Sequence, residues 1–285
     1  MIQDIAPRVF NNTYTPRSPK GTDYILIYQN KQAIFHGTEG EQTLPTYDTL
    51  PAHWHTQGLG LIYLFCIDDT AFYLSFAKVT VTPTDTLVYQ STQFLHRHLR
   101  PEWLAFATTT ACHLALWYEQ HQFCGKCQSP LTPHVTERAL SCTTCQLVKY
   151  PPISPAVIVG IAHGDRLLLT KYRSGYTRYA LVAGFVEVGE TLEAAVKREV
   201  MEEVGLKVTD IRYYHSQPWA ASQSLLMGFF CEVEGDPTVT LDPNELAEAT
   251  WFHRDNIPQG ESLLSLTWTM IEAFRQGKEK TPATI

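Results

Sequence analysis

The chain has 285 residues, of which 44% are hydrophobic and 18% are charged. This composition is typical of a folded globular protein and excludes extensive disorder. The chain has 22 lysine and arginine residues and 29 aspartate and glutamate residues, which gives a formal net charge of −7. That balance is the opposite of the one expected for a basic nucleic-acid-binding protein. At about 150 residues per domain, the length predicts two domains.

No export or membrane segment is predicted. The longest apolar run, residues 59–67, has nine residues, whereas a membrane-spanning helix needs about 20. The first ten residues include Asp4, Pro7 and Arg8, so they lack the apolar core of a signal peptide. We therefore expect a cytoplasmic protein.

The N-terminal part, residues 1–120, is predicted to be an α+β domain. Short apolar segments rich in β-forming residues predict strands over 24–28, 61–65 and 72–76. Pro101 precedes apolar residues at helical spacing, which predicts a helix over 102–120. The small basic cluster in this part either contacts phosphates or is a solvated helix start. Its members are His96, Arg97, His98 and Arg100.

Two closely spaced cysteine pairs follow. Cys124 and Cys127 are separated by fourteen residues from Cys142 and Cys145, which predicts a four-thiolate, tetrahedral Zn²⁺ site in a ribbon over residues 121–150. Because protein atoms fill every position, the zinc would be structural, and it would stabilise a segment too short for its own core. The alternatives are coincidental pairs or redox disulfides, which a cytoplasmic chain disfavours. Gly125 is expected to allow the tight turn between the first two sulfurs.

The C-terminal part, residues 151–285, is predicted to be an α/β domain because strand and helix patterns alternate along it. A stiff proline linker is expected at Pro151, Pro152 and Pro155. The strand predictions cover residues 156–162, 166–171, 206–214 and 225–234. The helix predictions cover residues 191–204, ended by Gly205, and residues 263–276.

The first of these helices carries clustered acids. Glu199, Glu202 and Glu203 are spaced at i, i+3 and i+4, so they share one helix face. Carboxylates on one face repel one another unless a cation neutralises them, and Mg²⁺ or Mn²⁺ prefers such oxygen ligands. Arg198 is expected to orient one of the glutamates. The alternative is an ordinary solvated amphipathic helix.

The segment before this helix is predicted to be a loop between Gly184 and Gly189, where glycines let the backbone approach a ligand. Thr191 is the expected N-cap, with the acidic Glu190 and Glu193 beside it favouring the helix dipole. The apolar residues expected to pack against the sheet are Val188, Leu192, Ala195, Val196, Val200 and Val204.

Residues 184–206 match the Nudix box: glycine, five residues, glutamate, seven residues, then Arg-Glu-apolar-x-Glu-Glu-x-Gly-apolar. The chain therefore resembles the Nudix hydrolases. This resemblance implies an α/β/α sandwich with a mixed sheet, and metal-dependent cleavage of nucleoside diphosphates linked to another group. It also implies that Glu199 and Glu203 bind Mg²⁺ or Mn²⁺, that Glu202 is a ligand or activates water, and that Arg198 holds Glu199.

A zinc module directly before this domain is similar to the arrangement in the NADH pyrophosphatases. That resemblance implies hydrolysis of NAD(H) to AMP and nicotinamide mononucleotide, action on NAD-capped RNA, and a homodimer. It implies Ala183 and Glu245 as further ligands of Mg²⁺ or Mn²⁺, and Tyr150 and Phe185 as an aromatic pair that sandwiches a base. The other implied substrate contacts are Gln217, Pro218, Trp219, Ser224 and Thr267.

One motif departs from that family. Its tryptophan is followed by Pro-Phe-Pro, one residue and serine, whereas Trp219 is followed by Ala220-Ala221-Ser222-Gln223-Ser224. A different nucleoside diphosphate derivative, such as ADP-ribose or a dinucleotide polyphosphate, is therefore the alternative substrate. Two non-enzymatic alternatives are a nucleotide-sensing Nudix regulator and a nucleic-acid adaptor built on the zinc ribbon. The retained box glutamates and the sparse basic residues near the zinc disfavour them.

Overall fold

The computed structural model describes residues 1–37, 42–79, 87–92, 99, 101–175, 178–260 and 264–280. The chain divides into two compact units, residues 2–152 and residues 153–285 together with Met1. The predicted three-part division of the chain stays a prediction. The basic cluster from His96 to Arg100 lies outside the described residues. Across the described ranges, no helix is long and apolar enough to cross a membrane.

The unit of residues 2–152 contains a sheet with the strand order β1-β4-β5-β2-β3-β6. Strands β2 and β5 are parallel, while the other pairs are antiparallel. The structure adds strands and a short helix that the sequence patterns did not indicate. The elements are β1 (Phe10–Asn11), β2 (Tyr24–Gln29), β3 (Gln32–His36), α1 (Ala52–Gln57), β4 (Ile62–Ile67), β5 (Thr70–Ser75), β6 (Leu87–Ser91) and α2 (Glu102–Gln120).

Helix α2 confirms the prediction over residues 102–120. Its residues at helical spacing, including Leu104, Ala111 and Trp117, are buried, and they join one hydrophobic cluster with strands β2, β4 and β5. The helix therefore covers one face of this sheet, as an α+β arrangement requires.

The cysteine module is a small antiparallel sheet with the order β7-β8-β9. Leu131 and Leu140 belong to the same hydrophobic cluster as helix α2. The Arg138 guanidinium donates hydrogen bonds to the backbone oxygens of Asn12, at 3.0 Å, and Leu64. The module therefore packs on the N-terminal sheet through apolar and polar contacts. Its strands are β7 (Leu131–Pro133), β8 (Leu140–Cys142) and β9 (Val148–Lys149).

The unit of residues 153–285 contains a mixed sheet with the order β13-β14-β10-β11-β15, and β12 pairs with β10. Only β10 and β14 are parallel among its described pairs. The strands are β10 (Ser154–His163), β11 (Arg166–Tyr172), β12 (Val182–Phe185), β13 (Val208–Trp219), β14 (Ser224–Val233) and β15 (Leu246–His253). The helices are α3 (Leu192–Val204) and α4 (Leu266–Arg275).

Alternate residues of β10 separate the two sides of this sheet. Val157 and Val159 belong to the hydrophobic cluster that includes Val196 and Val200 of α3. Ile158 belongs to the other cluster, which includes Met270 of α4. Because successive strand residues point to opposite faces, one helix covers each face. This arrangement is the predicted α/β/α sandwich.

Several local predictions were wrong. Pro155 lies within β10 and not in a linker, and Gly184 and Phe185 belong to β12 and not to a loop. Val188 is fully exposed, so it does not pack against the sheet. The other apolar residues predicted for α3 do: Ala195, Val196, Val200 and Val204 are completely buried, and Leu192 packs against their cluster.

Both predicted ends of α3 are confirmed. The Thr191 hydroxyl accepts a hydrogen bond from the Ala194 N–H at 3.2 Å. Gly205 ends the helix in the left-handed region with φ of 69°. A Cβ atom at Gly205 would lie 2.9 Å from the Cβ of Thr240, whereas one at Gly164 (φ of 59°) in the β10–β11 turn would meet nothing within 4 Å.

This difference predicts unequal costs for two alanine substitutions. Gly164→Ala introduces only the backbone strain of the left-handed region and should lower the free energy of unfolding by about 1 kcal/mol. Gly205→Ala adds the collision with Thr240 and should cost about 2 kcal/mol. Urea unfolding of the two variants measures both values, and equal losses would show that Thr240 moves aside without cost.

Candidate active site and cysteine cluster

The four cysteine sulfurs converge, as the sequence predicts. All four Sγ atoms lie within 4.8 Å of one another. Cys124 and Cys145 are 3.6 Å apart, and Cys127 and Cys142 are 3.4 Å apart. A tetrahedral Zn²⁺ with bonds of about 2.3 Å places sulfurs roughly 3.8 Å apart, whereas a disulfide needs about 2.05 Å. The donor set and its spacing therefore fit a zinc ion.

The two cysteine pairs have the same backbone conformation. The residue after each pair, Gln128 or Gln146, has a φ of 64°. Its N–H donates to the carbonyl oxygen of the first cysteine of its pair, which is Cys124 at 2.8 Å or Cys142 at 3.0 Å. Gly125 does not adopt a positive φ, so the expectation that it allows the turn was wrong. Gln128 and Gln146 adopt the left-handed conformation that each turn requires. The spacing of the cysteines does not indicate which residue takes this conformation.

The acidic face of α3 has a buried and an exposed part. Glu199 and Glu203 are buried, with 9% and 2% of their surfaces exposed. The Glu202 side chain remains 59% exposed. Two of the three carboxylates therefore lie against the sheet, where an uncompensated negative charge is costly.

Arg198 compensates part of this charge. Its Nε and one terminal nitrogen donate to the Glu190 carboxylate at 2.9 and 2.8 Å. The other terminal nitrogen donates to Glu199 at 2.7 Å and to Glu202 at 2.9 Å. A further bond of 2.9 Å reaches the Phe185 carbonyl oxygen. Arg198 therefore holds Glu199, as the resemblance implies. Glu190 was expected only to favour the helix dipole. In the structure it is an ion-pair partner of Arg198, and the fixed spacing of eight residues between the two in the box is the sequence signal for this contact.

Glu203 is the carboxylate without compensation. Among the described residues, neither of its buried oxygens has a hydrogen-bond partner of good geometry. Burial raises the pKa of Glu203 to about 8, helped by the negative charges of Glu245 and Glu199 and only partly offset by the backbone of Ala183. A buried acid of this kind fits a bound cation, which supplies the missing positive charge.

The structure brings Glu245 to the same place. Glu245 lies in the turn before β15, and the Asp242 N–H of this turn donates to the Glu203 carbonyl oxygen at 3.0 Å. Burial is the main cause that raises the pKa of Glu199 and Glu203, and the charge of Glu245 adds to both shifts. Among the described residues, only the cysteines have donor atoms that already converge on one point; the glutamate oxygens are farther apart. Glu199, Glu203 and Glu245 are the candidate ligands of a divalent cation, with Ala183 in the adjacent strand β12, and their convergence on one ion stays a prediction.

Gly184 makes room for this arrangement. A Cβ atom at Gly184 would lie 2.0 Å from the Glu199 carboxylate. The glycine therefore lets the buried carboxylate approach strand β12, which is a role inside the fold. The glycine was predicted to let a ligand approach the backbone, and in the structure the Glu199 side chain makes this close approach.

The two predicted stacking residues are exposed but lie in different units. Phe185, at the end of β12, is 51% exposed, and Tyr150 is 56% exposed. The Tyr150 hydroxyl donates to the Glu137 carboxylate at 2.6 Å, a contact that the sequence did not indicate. Exposed rings are available for stacking, and their pairing across a base stays a prediction.

Gln217 has a clear place in the fold. It is fully buried. Its Nε2 donates to the Leu264 carbonyl oxygen at 2.9 Å, and its Oε1 accepts from the Leu266 N–H at 2.8 Å. Gln217 therefore joins β13 to the start of α4, the helix that carries the half-buried Thr267.

The neighbouring predicted contacts lie where β13 ends. Pro218 is exposed and Trp219 is half-buried. Trp219 pairs with the buried Ser224, whose hydroxyl is 2.8 Å from that of Ser222. A 3₁₀ turn, Ala220–Ser222, lies where the similar family has Pro-Phe-Pro. Substrate contacts of these residues and of Thr267 stay predictions.

Residues 152–274 match the family model described as the NUDIX domain. A protein named NAD-capped RNA hydrolase NudC from Salmonella paratyphi C (strain RKS4594) is 47% identical over 148 residues, covering 51% of this chain and 56% of that protein. The protein of the same name from Citrobacter koseri is 48% identical over 148 residues, with the same coverage. The chain thus spans little more than half the length of these curated relatives.

Among solved structures, a NUDIX hydrolase from Nitrosomonas europaea has a TM-score of 0.49 and 20% sequence identity. The superposition covers 57% of this chain and 96% of that chain.

The cysteine geometry predicts one tightly bound zinc per chain. Cys142→Ser should abolish zinc binding and lower the melting temperature of the unit of residues 2–152, because Leu131 and Leu140 of the module lie in its core. Cys66→Ala, outside the cluster, is the matched control and should retain one zinc. Elemental analysis and thermal unfolding measure both effects. Zinc-free protein after mild purification would contradict the assignment.

The pKa of Glu203 predicts how pH affects stability without Mg²⁺ or Mn²⁺. Because its folded pKa of about 8 exceeds the ordinary value of about 4.3, the contribution of Glu203 to stability falls as the pH rises from about 4 towards 8. The loss is on the order of a few kcal/mol. Glu203→Gln should flatten this decline, and added Mg²⁺ should restore stability mainly at high pH. Melting temperatures from pH 5 to 8 provide the test, and a wild-type decline no steeper than that of the variant would contradict it.

Proposed function

We propose that this chain, whose residues 152–274 match the NUDIX domain model, belongs to the NADH pyrophosphatase branch of the Nudix family and hydrolyses the pyrophosphate bond of NAD(H) to AMP and nicotinamide mononucleotide. The observation that carries this proposal is the buried Glu203 carboxylate, whose pKa is raised by burial and by the charges of Glu245 and Glu199 and whose oxygens have no hydrogen-bond partner of good geometry among the described residues. Action on NAD-capped RNA is part of the proposal, supported by the names of the relatives.

The site would hold Mg²⁺ or Mn²⁺ between Glu199, Glu203 and Glu245, with the Ala183 backbone and Glu202 as further ligands. Such an ion, when bound, neutralises phosphate oxygens and lowers the pKa of a water molecule. Zn²⁺ would occupy the cysteine cluster and act on stability alone, because protein sulfurs fill its four positions.

The chain's own residues would orient the reaction. Arg198 fixes Glu199 and Glu202 through hydrogen bonds of 2.7 and 2.9 Å, so these carboxylates have little freedom to turn away. Glu202 is exposed to solvent, which suits either a ligand or the base that takes a proton from water. Phe185 and Tyr150 would stack on a base.

The alternative substrate is another nucleoside diphosphate derivative, such as ADP-ribose or a dinucleotide polyphosphate. The Ala220–Ser222 turn favours it, because this turn lacks the aromatic ring and the two prolines of the similar family. A purely nucleotide-sensing role is disfavoured, because the chain keeps every glutamate of the box. A homodimer, which the resemblance implies, and the cytoplasmic location expected from the sequence complete the proposal.

A substrate panel tests the proposed activity. The protein should release AMP from NADH and NAD in Mg²⁺ or Mn²⁺ faster than from ADP-ribose or diadenosine polyphosphates. Glu203→Gln should lower kcat by about a hundredfold or more, whereas Glu193→Gln, an exposed glutamate on the first turn of α3, should leave it unchanged. Chromatographic assay of AMP measures all rates. AMP released only from ADP-ribose would refute the NAD(H) assignment, and full activity of Glu203→Gln would refute its metal-binding role.

A further inference from the structure

We propose that Arg173 is a positioning residue for the metal site. It holds the turn of residues 242–245 so that the Glu245 carboxylate faces helix α3. This inference rests on the proposed function, since it takes Glu245 as a ligand of Mg²⁺ or Mn²⁺.

The turn is attached to α3 on one side. The Asp242 N–H donates to the Glu203 carbonyl oxygen at 3.0 Å, and the Thr240 N–H donates to the Val204 carbonyl oxygen at 3.0 Å. The backbone of Glu203 itself therefore anchors the start of the turn. These bonds fix where the turn begins, but they do not reach Glu245.

Arg173 attaches the turn on its other side. Its backbone N–H donates to the Glu245 carbonyl oxygen at 2.9 Å. Its guanidinium donates to the Pro243 carbonyl oxygen at 2.6 Å. One residue thus binds the backbone on both sides of Asn244. With the bonds to α3, these contacts leave the turn little freedom to carry Glu245 away from Glu203.

A β-bulge places Arg173 at this point. Lys171 pairs with Glu248, but Tyr172 pairs with Leu246, so β15 has one extra residue, Ala247. A bulge changes the direction of the strand beyond it, and Arg173 is the residue that directly follows the end of β11. On the β15 side of the bulge, the side-chain contacts of Glu248 fix the register between β11 and β15.

Glu248 provides those contacts and is fully occupied by them. Lys171 donates to one of its oxygens at 2.8 Å, while Tyr179 and Thr250 donate to the other at 2.6 and 3.0 Å. Glu248 is therefore committed to the fold. Glu245, by contrast, has no described side-chain hydrogen bond, so its exposed carboxylate remains available to a cation.

Loss of the guanidinium should weaken metal binding without unfolding the protein. Arg173 is exposed, and its side chain forms one described hydrogen bond, to Pro243. The backbone bond to Glu245 persists in any variant. Residues that orient metal ligands typically change affinity by about tenfold or more when removed. A lysine can still donate to a carbonyl oxygen.

The test is Mn²⁺ binding to the zinc-loaded chain of 285 residues, in which the electron paramagnetic resonance signal of free Mn²⁺ measures how much of the metal remains unbound. Arg173→Met should weaken Mn²⁺ binding about tenfold, and Arg173→Lys should remain within about twofold of wild type. Arg166→Met is the matched control, because Arg166 is an exposed arginine at the other end of β11 with no described side-chain hydrogen bond. It should bind Mn²⁺ as wild type does.

Glu245→Gln separates this inference from its premise. Unchanged Mn²⁺ affinity in that variant would refute the ligand role of Glu245, and with it the proposed site. Weakened binding in Glu245→Gln together with wild-type binding in Arg173→Met would overturn the positioning role alone. If Arg173 acts through Glu245, the double variant should bind Mn²⁺ no more weakly than Glu245→Gln. Additive losses would show that Arg173 acts independently of Glu245.

Discussion

The hydrogen bonds of Arg198 determine how the acidic face of α3 meets the sheet. One guanidinium joins the loop before the helix, through Glu190, to strand β12, through the Phe185 carbonyl oxygen, and to Glu199 and Glu202 on the helix itself. Arginine is suited to this task because its rigid fork of N–H groups serves several acceptors at once. Without it, Glu199 would be a second buried, uncompensated carboxylate beside Glu203.

The remaining electrostatic imbalance is therefore concentrated on a single residue. Glu203 has no contact with Arg198 among the described hydrogen bonds, and only the Ala183 backbone partly offsets the effect of its burial and of the charges of Glu245 and Glu199. Another buried acid of the same unit, Glu279, has one carboxylate oxygen 3.3 Å from the Arg254 guanidinium. A protein that pairs one buried acid with an arginine and leaves another without such a partner concentrates its demand for positive charge at the second.

The sequence predicted those features that depend on local spacing. The ends of α3, the convergence of the cysteines and the position of α2 follow from helix caps, ligand spacing and apolar periodicity, and each was confirmed. Strand β12 was missed because Gly184 resembles a loop residue, and its role depends on Glu199, fifteen positions away in sequence. Val188 fits the helical pattern but precedes the cap, so periodicity alone placed it wrongly. The contacts of Gln217 and Arg173 depend on pairing between distant strands and turns, which no single segment encodes.

The buried amide of Gln217 limits which side chains this position accepts. A glutamate has the same shape, yet it would set an oxygen against the Leu264 carbonyl oxygen, where Nε2 now donates at 2.9 Å. Two acceptors would then face each other in a site closed to water. Deamidation of Gln217 would therefore weaken the attachment of the start of α4 to β13, because only the bond from the Leu266 N–H would remain.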